Sequence, residues 1–289
     1  MTSFTGIWVP LVTPFHTGEI DFAALKALAR GLADAGVAGL VVCGTTGEAA
    51  ALDAAEQLAA LDAVLTAAPG CPIVMGLAGK HLPSLLASAR SWSGLPLAGL
   101  LVPPPYYIRP SQAGIVDYFR ALADVAPAPL IVYNIPHRTG VALELETVRA
   151  IARHERVAAI KDCGGDAGLT MDLIGDARLS VLAGDDADIF TTLCLGGAGA
   201  IAASAHIRPD LFVELARLVG AGHLEQARHL FYRLLPLIRA LFEEPNPGPL
   251  KQALALMGRM RAEVRAPMTA ASDAMSARLK RELTLLDCL

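Results

Sequence analysis

Eight apolar runs of strand length, each opening after a turn signal, constrain this chain more than any other feature. They are GIWVPLVT (6–13), GLVVCG (39–44), PIVMGL (72–77), GLLVPP (99–104), PLIVYN (129–134), VAAIKD (157–162), LSVLAG (179–184) and GAIAAS (199–204). None alternates apolar with polar residues, so each strand must be covered on both faces, which is how strands of a parallel sheet read. The stretches between them carry helical spacing. In DFAALKALARGLADAG, Asp21 is placed to cap and Gly36 to stop a helix, and in LDAAEQLAALDAVLTAAPG, Asp53 caps and Pro69-Gly70 terminates.

Strand and helix therefore alternate eight times, which predicts a closed (β/α)8 TIM barrel, with an open doubly wound sheet as the alternative. The barrel closes by about residue 220. Residues 221–289 read as a small helical extension, interrupted at EEPNPGP by three prolines. The expected domains are thus 1–220 and 221–289.

Composition narrows the function classes. A net charge of −4 with both signs scattered leaves no basic stripe for nucleic acid or an anionic membrane surface. No apolar run approaches the ~20 residues needed to span a bilayer, and the N-terminal MTSFTGIWVP is unlike a secretory leader. Five cysteines, odd in number and without a C-x-x-C pair, read as core residues of a reducing compartment. The expectation is a cytoplasmic protein. The seven histidines lack H-E-x-x-H spacing, GGAGAIA (196–202) precedes a strand instead of opening a helix, and AGDDAD (183–188) reads as a helix cap. Neither a metal nor a cofactor is expected.

In such a barrel the active site lies at the carboxyl ends of the strands, so polar residues ending apolar runs are the candidates. Run two ends in CGTTGE, with Thr45 and Thr46. Run four leads into PPPYYIRPSQ, with Tyr106 and Tyr107, run five ends at Tyr133-Asn134, and run six ends at Lys161. The other lysines, Lys26, Lys80, Lys251 and Lys280, fall in helical or loop-like segments. A free lysine is only about one part in 2,500 neutral at pH 7. Burial that lowered its pKa by ~3 would make it an amine nucleophile able to form a Schiff base with a carbonyl substrate. A strand-end lysine paired with Asp162 or another carboxylate fits the same position. Tyr133 favours chemistry, because a nearby phenol can move protons to and from a carbinolamine. In GTTGE, glycines permit close backbone approach while hydroxyls and amides suit a carboxylate. Arg138 in NIPHRTG offers a planar guanidinium to a second carboxylate, or is simply a solvated loop residue.

Together GTTGE, PPYYIRPSQ, YNIPHRTG, IKD, AGDD and NPGPLKQAL resemble the dihydrodipicolinate synthase and N-acetylneuraminate lyase family of pyruvate-dependent class I aldolases, over nearly the whole chain. The resemblance implies a barrel with C-terminal helices, assembled as a homotetramer of two tight dimers, acting on pyruvate and an aldehyde. It implies that Lys161 forms the Schiff base, that Thr45, Thr46 and Tyr133 bind the pyruvate carboxylate and relay protons, and that Tyr107 reaches a neighbouring subunit's site. Arg138 resembles the synthase branch, which receives aspartate semialdehyde, and Ile201 matches a position whose backbone lies near pyruvate. A 2-keto-3-deoxy sugar acid aldolase or dehydratase, and a non-catalytic ligand-binding barrel, are the competing readings. Lys80, Ser84, Ala54 and Gln57 depart from the pattern of feedback-inhibited members, and Ile108 replaces a customary asparagine. Weak or absent inhibition by L-lysine is therefore expected.

Overall fold

The structure, a computed structural model, describes residues 4–289. In chain order the first elements are β1 (Gly6–Pro10), β2 (Phe15–His16), β3 (Glu19–Ile20), α1 (Phe22–Asp34), β4 (Gly39–Val42) and α2 (Ala54–Ala67). The middle of the chain contributes β5 (Ile73–Gly76), α3 (Leu82–Ser91), β6 (Gly99–Val102), α4 (Gln112–Val125), β7 (Leu130–Asn134), α5 (Pro136–Thr139) and α6 (Leu145–Ile151). Then come β8 (Val157–Asp162), α7 (Ala167–Asp176), β9 (Ser180–Ala183), α8 (Ile189–Cys194), β10 (Gly199–Ile201), α9 (Pro209–Gly220), α10 (Leu224–Glu243), α11 (Gly248–Leu256) and α12 (Asp273–Leu285).

Eight strands close into a barrel in the order β1-β10-β9-β8-β7-β6-β5-β4, and β2 and β3 form a separate antiparallel pair. The eight apolar runs each supply one barrel strand, so the closed sheet, not the open alternative, is what the chain adopts. The closure lies in the strand order, which returns on itself at β1 and β4, and β4, β5, β6 and β7 are buried at every position, as strands covered on both faces are.

Internal contacts group the chain into two compact units, residues 4–6 with 72–201 and residues 7–71 with 202–289. In the first, β5 to β10 form a continuous run of parallel strands, with Tyr133 opposite Lys161 and Asn134 opposite Asp162 in the pairing of β7 with β8. In the second, β1 pairs with β4, α1 packs on α2, and the terminal helices α9 to α12 pack on one another.

The helix starts follow from local chemistry. Asp21 accepts from the Ala24 amide at 3.0 Å, and Asp53 and Glu56 form a reciprocal capping box at α2, each such cap being worth ~1 kcal/mol. In AGDDAD, Asp185 accepts from the Ala187 amide at 3.1 Å, the capping role its sequence position implied.

Candidate active site

Strand alternation decides which side chains meet. Tyr133 and Lys161 are cross-strand neighbours pointing to one face of the sheet, and Asn134 and Asp162 point to the other. On the outer face, the Asp162 carboxylate accepts from Asn134 Nδ2 at 2.8 Å, from the Gly164 amide at 2.9 Å and from Thr170 Oγ1 at 2.8 Å. That carboxylate is engaged away from Lys161, which excludes the pairing of Lys161 with Asp162 that its position also allowed.

On the inner face, Lys161 Nζ donates to the Tyr133 hydroxyl at 3.4 Å and sits 4.4 Å from the ring centroid. Both residues are only 6% exposed. The half-buried Cys163 thiol lies within hydrogen-bonding reach of the same phenol, so amine, phenol and thiol form a chain of polar groups. Gly184 seals it from one side: a Cβ there would stand 2.4 Å from Cys163 Sγ and 2.9 Å from Lys161 Cγ. Only a glycine lets the β9 end approach the lysine stem so closely.

The electrostatics differ from the expectation drawn from burial alone. Burial pushes the Lys161 amine down, but Tyr133, Cys163 and Asp186 pull it up, and the net direction is above the ordinary lysine range. That net direction runs against the lowering expected from burial alone, and the coulombic pull of Tyr133 and Cys163 is exerted by their ionised forms. Position in the sequence revealed the burial but not the acidic groups gathered around the amine. Burial also raises Tyr133, and raises Cys163 to about 11, so the phenol and thiol are protonated at neutral pH.

Arg138 lies exposed in α5, between Pro136 and the Gly140 cap, and Ile201 ends β10 fully buried. Tyr107 is 83% exposed with a positive φ of 75°, and the Lys80 ammonium rests 5.7 Å from its ring centroid. It is a surface residue of this chain, not a partner of Tyr133 within it.

Thr45 and Thr46 belong to the second unit, in the turn that follows β4. There the Gly44 carbonyl accepts from the Gly47 amide at 3.1 Å, and Thr13 Oγ1 donates to the Gly47 carbonyl at 2.7 Å. A Cβ on Gly47 would meet the Leu11 carbonyl oxygen at 2.9 Å, so this glycine is needed for close approach. Thr45 is exposed and Thr46 is 5% exposed. Glu48, with a φ of 52°, is buried and ion-paired with Lys251, whose Nζ also donates to the Glu263 carbonyl at 2.9 Å.

Sequence reasoning missed three participants. Lys251 reads as an ordinary helical lysine, yet it is fully buried. Asn246 donates through Nδ2 to Thr46 Oγ1 at 3.1 Å. Asp186 is 1% exposed and bears on Lys161. The motif NPGPLKQAL held the signal for the first two, since a lysine five residues beyond an asparagine in an otherwise apolar segment is unusual.

Among the described residues no group of three or more histidine, cysteine or acidic side chains is arranged to hold a metal ion, and no helix is long and apolar enough to cross a membrane.

Residues 3–286 match the model of the dihydrodipicolinate synthetase family. A relative from Haloarcula marismortui, 4-hydroxy-tetrahydrodipicolinate synthase, is 36% identical over 288 residues, covering 98% of this chain and 94% of its own. The crystal structure of dihydrodipicolinate synthase from Thermotoga maritima superposes with a TM-score of 0.96 at 32% identity, covering 99% of each chain. The chloride-inhibited dihydrodipicolinate synthase from Acinetobacter baumannii, complexed with pyruvate, superposes with a TM-score of 0.96 at 30% identity, covering 99% of this chain and 100% of its own.

Proposed function

Because this chain belongs to the dihydrodipicolinate synthetase family, we propose that it is a pyruvate-dependent lyase condensing pyruvate with L-aspartate 4-semialdehyde to 4-hydroxy-tetrahydrodipicolinate, a step towards diaminopimelate and lysine. The observation that carries this reading is the buried Lys161 amine 3.4 Å from the Tyr133 hydroxyl, at the carboxyl ends of two paired barrel strands.

After the ammonium gives up a proton, Lys161 Nζ attacks the C2 carbonyl of pyruvate to form a carbinolamine. Loss of water leaves an imine, and loss of a C3 proton leaves an enamine. The enamine carbon attacks the aldehyde carbon, whose oxygen takes up a proton. The acceptor's own amine then attacks C2 and displaces Lys161, closing the six-membered ring and freeing the lysine. Tyr133 is placed to hand protons to and from the oxygen and nitrogen of these intermediates, because its hydroxyl already touches Nζ and its raised pKa keeps a proton available. Thr45 and Thr46 bind the pyruvate carboxylate, Arg138 receives the carboxylate of the semialdehyde, and the backbone at Ile201 lies beside pyruvate, as the family resemblance implies. No cofactor takes part.

Tyr107 serves a second copy of this chain within a cytoplasmic homotetramer, a dimer of dimers. Supporting this are the exposures of Tyr106, Tyr107 and Ile108, at 40%, 83% and 55%, which make an apolar surface suited to cover by another chain. L-Lysine is a weak inhibitor or none. Gln57 is spent on the Ala49 and Leu52 carbonyls, and Ser84 pairs with His81 at 2.6 Å.

The test combines turnover, followed through a coupled reductase, with borohydride trapping of pyruvate on wild type and Lys161→Ala. Turnover and a covalent adduct, both lost in the variant, are the expected results. An adduct without turnover would replace the aldehyde with a keto-deoxy sugar acid route, and no adduct would leave only a binding barrel.

A further inference from the structure

The motif NPGPLKQAL is quoted by the family resemblance but has no part in the chemistry above. In the structure it grips the turn after β4 at two points: Asn246 Nδ2 donates to Thr46 Oγ1 at 3.1 Å, and Lys251 pairs with Glu48. The second contact is deep. Glu48 Oε2 also accepts from the Arg265 amide at 3.0 Å, and the Lys251 ammonium lies 4.2 Å from the centre of the Phe15 ring. The Glu48 end of the turn is thereby held, leaving Asn246 to act on the threonine two residues earlier.

A hydroxyl has one hydrogen to give and two lone pairs to receive with. An amide Nδ2 has hydrogens only. When Asn246 Nδ2 donates to Thr46 Oγ1, the threonine hydrogen has nothing to bond to at Asn246 and must be given elsewhere. Asn246 Oδ1 is buried without a hydrogen-bond partner, so the amide's hold on Thr46 runs through Nδ2 alone. A substrate carboxylate is an acceptor only and needs a donor. We propose that Asn246 is a positioning residue that sets the polarity of the Thr46 hydroxyl, so that this hydroxyl donates to the carboxylate of pyruvate. The proposal rests on the pyruvate reading above.

The test uses the full-length chain and measures the pyruvate concentration that half-saturates borohydride trapping, together with KM, kcat and melting temperature. Asn246→Asp keeps size and replaces the donor by an acceptor. It is expected to raise the half-saturating pyruvate concentration and KM at least about tenfold at pH 8, with kcat changed far less. The gap from wild type narrows as pH falls towards 5, where the introduced carboxyl regains a proton to donate. Asn246→Ala raises KM by a smaller factor, and in a Thr46→Val background it adds no further change, because both variants remove one shared interaction. Wild-type pyruvate affinity in Asn246→Asp at pH 8 would overturn the proposal, as would an Asn246→Ala effect that adds in full to that of Thr46→Val. A wild-type chain that takes no label from pyruvate would overturn the reading beneath it instead.

Discussion

Lys161 at the end of β8 and Lys251 in α11 are both removed from water, at 6% and 0% exposure, yet their surroundings receive the charge in different ways. Lys251 meets a carboxylate, Glu48, and an aromatic face, Phe15. Burial pulls its pKa down and Glu48 opposes the fall. Lys161 is pulled down by burial and up by Tyr133, Cys163 and Asp186, the first two acting coulombically only when they are ionised. One amine thus has a fixed carboxylate partner, and the other is bordered by groups that exchange protons. In the function proposed above, the lysine assigned as nucleophile is the one whose neighbours exchange protons, and burial is common to both.

The largest effect that would break this contrast is on catalysis. Lys161→Met should lower turnover at least about a thousandfold, equivalent to ~4 kcal/mol of transition-state stabilisation, while thermal unfolding shows the fold kept or strengthened, since a buried ammonium is replaced by an apolar chain. A melting temperature that falls sharply would make Lys161 a structural ion like Lys251.

Lys251→Met should do the reverse. It strands the buried Glu48 carboxylate and should cost about 3–5 kcal/mol in denaturant unfolding. Adding Glu48→Gln should recover much of that loss, and a double variant as unstable as the single would show that the ion pair is not the cause.

His206 supplies a comparison in which burial wins outright. Burial, with the Arg259 charge behind it and the bond to the Ala203 carbonyl opposing, holds its pKa at about 4, and the neutral ring accepts from the Val12 amide at 3.2 Å. A histidine depressed in the folded state is more basic when unfolded, so its stability contribution is complete above the ordinary value of 6.5 and is lost as pH falls. Between pH 7 and pH 4 this group should remove about 3 kcal/mol of stability, a slope that His206→Gln should abolish in chemical unfolding at stepped pH.

The smallest expected effect sharpens the picture at Lys161. Asp186→Asn takes away one negative influence on the ammonium, so the amine loses its proton at lower pH. The rise in kcat/KM with pH should move towards acid, giving a several-fold gain in borohydride trapping rate at pH 7. An unmoved profile would place the whole upward pull on Tyr133 and Cys163.

The barrel was legible because its evidence is local. Eight continuous apolar runs, Asp21 and Asp53 at helix starts and a terminator at Pro69-Gly70 all act within a few residues of where they sit. The same locality identified Lys161 and Tyr133, each closing an apolar run. What stayed hidden was long-range. Lys251 and Glu48 are separated by 203 positions and Asn246 and Thr46 by 200, so nothing near either member signals its partner.

The residues by themselves determined the alternation of strand and helix and the placing of a lysine and a tyrosine at strand ends, because hydrophobic periodicity and capping are short-range. Only the tertiary structure decided which lysine has a counter-ion, which way Asp162 faces and which titratable groups surround Lys161. Those outcomes depend on the dielectric surroundings and charge partners that the closed sheet and its packed helices assemble, and no stretch of sequence carries them alone.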